Sequence, residues 1–219
     1  MATGEEPGKT WHHWMAEQRA NSKMYVEEVG LDRTLPNWAA RVLDGGFLQF
    51  CNLASEEVRD PAFFWMAGYR ISSAGREVAG WRQPMLCEVG PGALLLVRDS
   101  SGRVLVQAKQ EPGNPEKKQH VLLAPTVQAG DSNLAQDHKG KPVWRNELWR
   151  DPRVLKVPLS VDGGRFKDKI NFVGLLTVAD DELTPSANER WFTREEVQQA
   201  LWAGECNSCL AEVLAFALI

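Results

Sequence analysis

The sequence lacks the features that would place it in a membrane, outside the cell or on nucleic acid. It has no stretch of about 20 apolar residues, so no transmembrane helix is predicted. Its start, MATGEEPGKT, is polar and has none of the apolar core of a secretory signal. Lys and Arg number 25 against 29 Asp and Glu, and no basic stripe is present, which disfavours nucleic-acid binding. We therefore expect a cytoplasmic protein.

Cysteine is scarce, and its pattern does not predict a metal or redox site. The chain has four cysteines, which without a secretion signal are expected to be reduced thiols. Cys206 and Cys209 form a C-x-x-C pair, but a structural zinc site usually needs a second pair at similar spacing. A redox dithiol is expected beside a βαβ unit, whereas this pair falls between two predicted helices.

Several motifs that identify common enzyme classes are also missing. The sequence contains no G-x-S-x-G elbow, no P-loop, no G-x-G-x-x-G fingerprint and no Nudix box of closely spaced glutamates. What remains is a set of amide, amine, carboxylate and imidazole side chains. Such groups suit proton transfer to and from a substrate without a metal or other cofactor. They suit ligand binding without catalysis equally well.

Hydrophobic residues make up 43% of the 219-residue chain, which is enough for one sizeable core. Periodicity predicts helices over residues 10–28 and 38–43, the second one ending at Gly45 and Gly46. A β-rich region follows. Its predicted strands cover residues 63–72, 83–89, 93–98, 103–110, 121–129, 156–159 and 171–179.

The C-terminal part is predicted to be helical. Thr193 and Glu196 have the spacing of a capping box, which begins a helix that ends at Gly204. A last helix begins near Asn207. We expect residues 1–60 to form an N-terminal tail and helical segment, and residues 61–219 to form one compact domain.

Two predicted strands carry polar side chains at alternate positions. Gln107, Lys109 and Glu111 share one face of the first strand, opposite an apolar face. Thr126 and Gln128 share one face of the second. If the two strands are neighbours, these side chains line a polar pocket. The alternative is a sheet whose polar face is simply solvated.

Specific segments resemble one known family. They are W-R-Q-P from Trp81, Q-A-K-Q-E-P-G-N from Gln107, A-P-T-V-Q ending at Gln128, and then Asn133 and His138. Together with the S-x-x-G-G-R-F segment, they are similar to the NDP-hexose 2,3-dehydratases of deoxysugar biosynthesis.

The resemblance implies a fold and an assembly. The fold is an α+β, Nudix-like mixed β-sheet sandwich with flanking helices that has lost the Nudix metal box. Members of the family contain two tandem repeats, and this chain has the length of one. A homodimer would therefore rebuild the two-repeat particle with closed twofold symmetry.

The resemblance also implies a reaction on a small-molecule substrate, a nucleotide-linked 4-keto-6-deoxyhexose. A base removes the C3 proton, the C2 hydroxyl leaves as water, and no redox cofactor takes part. Glu111 and His138 are the base or acid candidates, and Lys109 would stabilise the enolate or the diphosphate. The residues expected to bind the substrate are Trp81, Gln83, Gln107, Asn114, Gln119, Thr126, Gln128, Asn133 and Arg165.

Other readings of these residues stay open. Lys109 and Glu111 pair only with each other in one alternative, and His138 is a loop residue bonded to backbone in another. The family favours Arg and Tyr where this chain has Asp131 and Leu134. These departures leave two alternative functions, namely a dehydratase or cyclase that acts on a polyketide-like metabolite and a ligand-binding subunit without catalysis.

Overall fold

The computed structural model describes residues 10–24, 26, 38–43, 47–52, 64–72, 77, 80–88, 90–134 and 145–217. It has a mixed α+β architecture. The helices are α1 (Trp11–Ala20), α2 (Asp131–Leu134), α3 (Asn146–Trp149), α4 (Arg194–Trp202) and α5 (Ser208–Ala217). The strands are β1 (Trp38–Leu43), β2 (Phe47–Asn52), β3 (Phe64–Ser72), β4 (Gly80–Glu88), β5 (Gly92–Asp99), β6 (Val104–Gln110), β7 (Val121–Ala124), β8 (Val127–Ala129), β9 (Leu155–Ser160), β10 (Ile170–Val178) and β11 (Glu189–Phe192). None of the described helices has both the length and the apolar character needed to cross a bilayer.

The first four strands form an antiparallel sheet in the order β1-β2-β3-β4. The helix predicted over residues 38–43 is wrong, because this segment is β1 and pairs along its whole length with β2, from Trp38 opposite Asn52 to Leu43 opposite Phe47. Strand pairing overrides the local helix preference of its two alanines. The predicted strands over residues 63–72 and 83–89 are confirmed as β3 and β4, within three residues at each end.

The remaining strands form a seven-stranded mixed sheet, with a path β11-β6-β5-β10-β9 from which β7 and β8 branch. β5 and β10 run parallel, while the other pairs are antiparallel. The predicted hairpin of residues 93–98 and 103–110 is confirmed as β5 and β6, with a turn in which the Gly102 N–H donates to the Asp99 carbonyl at 3.0 Å. Gly102 has φ of +90°, which only glycine adopts without strain.

Both faces of this sheet are covered. One face packs against α1, α4 and α5 in a hydrophobic cluster that includes Leu94, Val106 and Phe192. The other face forms a second cluster, which includes Leu95 and Leu105 and receives Leu148 of α3. Almost every residue of β5 is therefore buried, which is typical of a central strand buried on both sides.

The helix α1 packs on the first face together with the C-terminal helices α4 and α5. α1 is shorter than the predicted 10–28, since residues 22–24 are not helical, and it buries Trp11, Trp14 and Met15 in the first cluster. The predicted capping box of α4 is confirmed, with both reciprocal hydrogen bonds present between Thr193 and Glu196. The N-terminal helix is therefore part of the same core as the C-terminal helices.

Gly174 on β10 provides a test of how tightly the second cluster is packed. A Cβ at this position would lie 2.8 Å from Trp149 Cζ3, 3.0 Å from Val154 Cγ1 and 3.1 Å from Leu95 Cδ1. We expect Gly174→Ala to lower the free energy of unfolding by about 1–3 kcal/mol through overpacking. Urea denaturation followed by tryptophan fluorescence measures this change. In the control Gly163→Ala, the new Cβ meets no atom of the described residues within 4 Å, so equal losses in both variants would contradict the packing argument.

Candidate active site

The candidate site lies where β5 and β6 separate. These strands pair only at Val97 with Leu105 and at Arg98 with Val104. Beyond that point residues 121–129 enter the gap, so that β7 pairs with β6 and β8 pairs with β5. The single strand predicted over residues 121–129 is therefore two short strands, broken at Pro125 and Thr126. This insertion brings the Q-A-K-Q-E-P and P-T-V-Q segments together.

Four side chains from three parts of the chain form a hydrogen-bonded group, here called the Glu111 cluster, which consists of Lys109, Glu111, Gln128 and Asn207. The Glu111 carboxylate accepts from Gln128 Nε2 at 2.9 Å and from Asn207 Nδ2 at 3.4 Å. Lys109 Nζ lies 3.2 Å from Glu111 Oε1 and donates to the Gln128 carbonyl at 3.4 Å. Asn207 Nδ2 also donates to Gln128 Oε1 at 2.9 Å.

The Glu111 cluster is only partly enclosed. The Lys109 and Glu111 side chains keep 26% and 30% of their surface exposed, whereas Asn207 is buried. An ammonium and a carboxylate that are paired and partly exposed can contact a bound molecule and exchange a proton with it. Lys109 and Glu111 pair with each other, but not exclusively, because Glu111 also accepts from Gln128 and Asn207, and both side chains remain partly exposed.

Gln107 and Thr126 are committed to the backbone. Gln107 Nε2 donates to the Pro125 carbonyl at 2.8 Å and to the Thr126 carbonyl at 3.4 Å. The Thr126 hydroxyl accepts from the Val97 N–H at 3.0 Å and donates to the Leu105 carbonyl. Val97 and Leu105 are the last paired residues before β5 and β6 separate, so this fully buried hydroxyl bridges two strands.

Asn114 and Gln119 belong to the loop of residues 111–120, here called the EPGN loop. Asn114 Nδ2 donates to the His120 carbonyl at 3.1 Å, and the Asn114 carbonyl lies 2.8 Å from His120 Nδ1. Gln119 is exposed, has φ of 48° and offers its carbonyl to the Ser22 hydroxyl at 2.8 Å. Asn114 therefore closes the loop onto itself, and Ser22 ties the loop to the segment after α1.

Trp81 and Gln83 lie on β4 of the four-stranded sheet, beside the loop between β9 and β10 that carries Arg165. Trp81 Nε1 donates to Gln83 Oε1 at 2.6 Å, and Gln83 Nε2 donates to the Gly164 carbonyl at 2.7 Å. The Arg165 side chain is 82% exposed and its Nε lies 2.7 Å from Asp162 Oδ2. None of these three residues belongs to the Glu111 cluster.

Asn133 lies half-buried on the short helix α2, which follows β8. His138, the other acid or base candidate, lies outside the described residues. Glu88, at the end of β4, forms an ion pair with the buried Lys169.

The comparisons with known proteins cover most of the chain. A sequence profile described as NDP-hexose 2,3-dehydratase matches residues 9–216. The chain belongs to the NDP-hexose 2,3-dehydratase family. The resemblance carried by the W-R-Q-P, Q-A-K-Q-E-P-G-N and A-P-T-V-Q segments is confirmed.

Curated relatives carry the name dTDP-4-dehydro-6-deoxy-alpha-D-glucopyranose 2,3-dehydratase. The protein from Saccharopolyspora spinosa is 29% identical over 196 residues, which cover 86% of this chain and 37% of the relative. The protein from Amycolatopsis orientalis is 30% identical over 180 residues, covering 77% and 36%. The chain thus spans little more than a third of the length of the relatives it matches.

Sequence reasoning missed a buried ion pair beside Gln107. Glu189 of β11 lies opposite Gln107 of β6. Its carboxylate accepts from Arg145 Nε at 3.1 Å and from Arg145 Nη2 at 2.7 Å. The hydrogen bond to Glu189 raises the pKa of Arg145 and outweighs the opposing effect of burial. The two adjacent aromatic residues Trp191 and Phe192 were a weak signal for β11, but no local pattern pointed to Arg145.

Asn207 was named in the sequence only as the start of a helix, and its contact with Glu111 spans 96 positions. Near it, burial raises the pKa of the Cys206 thiol to about 12, and burial raises the pKa of Cys209 as well. Both thiols are therefore protonated at neutral pH, which makes them poor nucleophiles and poor metal ligands. Among the described residues, no group of three or more His, Cys, Asp or Glu side chains has an arrangement that could hold a metal ion.

Thr126 allows a structural role to be separated from substrate binding. We expect Thr126→Val to lower the free energy of unfolding by about 2–4 kcal/mol, because the buried Val97 N–H and Leu105 carbonyl lose their partner. Thr126→Ser keeps the hydroxyl and loses one methyl, which costs about 1 kcal/mol. Chemical denaturation measures both changes. Equal stability of the valine and serine variants would show that the bridge contributes nothing to the fold.

Proposed function

We propose that this chain acts as a dehydratase on a nucleotide-linked 4-keto-6-deoxyhexose, removing water across C2 and C3. The family membership and the printed names of the relatives support this reaction class. The observation that carries the proposal is the partly exposed pair of Lys109 and Glu111, held in a fixed arrangement by two amides at the junction of the two family segments.

The reaction needs one base, one acid and stabilisation of an enolate. The 4-keto group acidifies the C3 proton, which the Glu111 carboxylate takes while the electron pair moves toward the carbonyl. The enolate then expels the C2 hydroxyl, which leaves as water with a proton from an acid, and a C2–C3 double bond forms. The product is an enol, which relaxes to the 3,4-diketo sugar. In this scheme, His138 is the acid and the Lys109 ammonium stabilises the enolate oxygen.

The positions of the polar groups support different roles in binding. Gln128 touches Glu111 directly, so it is the amide that would orient the sugar next to the base. Gln107, Asn114 and Thr126 would shape the site through the backbone atoms they hold. In this proposal Trp81 and Gln83 contact the nucleotide, Gln119 and Asn133 flank the sugar, and the exposed guanidinium of Arg165 meets the diphosphate.

The wider assembly is part of the proposal. We take the α+β fold as Nudix-like and the working unit as a homodimer, since one chain spans only 37% of the length of a relative. Two copies related by a twofold axis would bring two mixed sheets into one particle. Because a nucleotide diphosphate does not cross a lipid core unaided, we assign the reaction to the cytoplasm, where charged nucleotide sugars are retained.

A ligand-binding subunit without turnover is the second candidate. It is favoured by the way in which the polar groups satisfy one another: Glu111 accepts two amide hydrogen bonds, and Gln107 and Thr126 bond the backbone. A negative Asp131 where the family favours Arg also weakens attraction for a diphosphate. This subunit would bind a nucleotide sugar and leave it unchanged.

Substitution of Glu111 tests the dehydratase proposal. We expect Glu111→Gln to lower the rate of water loss from dTDP-4-keto-6-deoxyglucose by about 10²-fold or more, since a carboxamide cannot accept the C3 proton. Mass spectrometry of the sugar product measures the loss of water. In D₂O, exchange at C3 measures proton removal separately and is expected to fall in parallel.

Two further variants make the test specific. Glu111→Asp keeps the charge and is expected to retain more activity than Glu111→Gln. Glu116→Gln makes the same chemical change at an exposed position of the EPGN loop and is expected to leave the rate unchanged. Full activity in Glu111→Gln would remove Glu111 as the base. Stabilisation of the wild type by dTDP without any turnover would favour the binding subunit.

A further inference from the structure

Asn207 occupies the N-cap position of α5, and its amide is held in one orientation. Its Oδ1 accepts from the Leu210 N–H at 2.9 Å, and its backbone N–H donates to the Leu123 carbonyl at 2.9 Å. Because the helix terminus offers only N–H donors, the oxygen of the amide must face the helix. The Nδ2 donor therefore points away from α5, toward Glu111 and Gln128.

The orientation of the Asn207 amide determines the orientation of the Gln128 amide. Asn207 Nδ2 donates to Gln128 Oε1 at 2.9 Å, so the oxygen of the Gln128 amide faces Asn207. Gln128 Nε2 must then point at Glu111 Oε1, where it donates at 2.9 Å. Asn207 also donates to the other carboxylate oxygen, Glu111 Oε2, at 3.4 Å. The start of α5 thus sets the direction of every amide that contacts the carboxylate.

We infer that Asn207 is a positioning residue, which fixes the Glu111 carboxylate for proton removal through its own amide and that of Gln128. The inference rests on the proposed role of Glu111 as the base. Asn207 is buried, so it acts through the Glu111 cluster and does not itself touch substrate. The positive end of the α5 helix dipole lies behind this cluster, which favours a negative charge on Glu111.

Two substitutions separate positioning from helix capping. Aspartate and serine both accept a hydrogen bond from the Leu210 N–H, so Asn207→Asp and Asn207→Ser keep the cap. Asn207→Ser has no amide, so Gln128 and Glu111 each lose a donor. Asn207→Asp places a second carboxylate oxygen where the Nδ2 donor was, facing Glu111 Oε2 and Gln128 Oε1. We expect both to lower kcat, by about a hundredfold for aspartate, with a smaller change in KM.

The stability of Asn207→Asp is expected to depend on pH in a defined direction. The Lys109 ammonium, 3.2 Å from Glu111 Oε1, faces the same carboxylate in both variants, so the comparison isolates the added carboxylate. Two facing carboxylates destabilise the folded state only while both are charged, and one of them binds a proton more readily in the folded than in the unfolded chain. Stability relative to Asn207→Ser is therefore lost as pH rises above about 4 and is restored below it. We expect the Tm of the aspartate variant at pH 7 to be about 3 °C or more below that of the serine variant.

Ser208→Asp is the matched control. It adds the same charge one residue along, at an exposed position of the same helix terminus, where a negative charge is favoured. No comparable loss of Tm between pH 4 and pH 7 is expected, and kcat should stay within twofold of the wild type.

The kinetic measurement and the Tm measurement distinguish failure of this inference from failure of the dehydratase proposal. If Asn207→Asp retains the wild-type kcat and is at least as stable as Asn207→Ser at pH 7, Asn207 is a helix cap alone and the inference falls. If the wild type shows no turnover, the dehydratase proposal fails. The pH-dependent difference in Tm, which needs no substrate, then still decides whether the Asn207 amide faces Glu111.

Discussion

The separation of β5 from β6 after only two paired positions is the constraint on which the site depends. Each strand then exposes N–H and carbonyl groups that need new partners in a buried sheet. Residues 121–129 supply these partners, first to β6 through β7 and then to β5 through β8. Where the segment changes strands, the Thr126 hydroxyl accepts from the Val97 N–H. Because this segment crosses from one strand to the other, it carries Gln128 to the place where Glu111 leaves the end of β6.

The same crossing explains why the polar side chains that alternate along these strands fall into two groups. Gln107 and Thr126 lie at the crossing itself, where irregular backbone leaves carbonyl and N–H groups without ladder partners, so their side chains bond the backbone. Lys109 and Gln128 lie farther out, where the ladders have resumed, and their side chains are free to contact Glu111. One alternation pattern therefore contains both residues that bond the backbone and residues that contact Glu111.

Elements set by neighbouring residues could be predicted from the sequence, whereas elements set by distant strand pairing could not. The β5–β6 hairpin and the capping box of α4 depend on neighbouring residues, and both were predictable. The strand β1 was not, because its pairing with β2 outweighs a local helix preference. The break at Pro125 and Thr126 was read as one continuous strand, although the proline itself removes a ladder donor and was a signal for a break.

The candidate site was predictable in its residue types and not in its arrangement. Lys109, Glu111 and Gln128 could be chosen because Lys109 and Glu111 alternate along one predicted strand and Gln128 lies on the polar face of the next. Asn207 could not, since its contact with Glu111 depends on how α5 packs against β7. The positions of Gln83 and Arg165 relative to these residues likewise depend on how two sheets meet, through the backbone bridge between Leu86 and Phe166.

The segment after α1 and the segment that leads into α5 both contact the EPGN loop. Arg19 of α1 and Lys118 of the loop both pair with Glu205, which precedes the residues that lead into α5. Glu205 also offers its backbone carbonyl to the Leu123 N–H at 2.8 Å, and the Asn207 N–H returns to the Leu123 carbonyl. The carboxylate of Glu111 is thus at the start of a loop that is fixed by an ion-pair triad at one end and by a helix cap at the other.

A base must be held within a fraction of an ångström to remove a proton efficiently, and here the helices that hold it are distant in sequence. Removing Arg19 by shortening α1 would therefore change the position of Glu111 through Glu205 and Lys118, although no residue of α1 belongs to the Glu111 cluster.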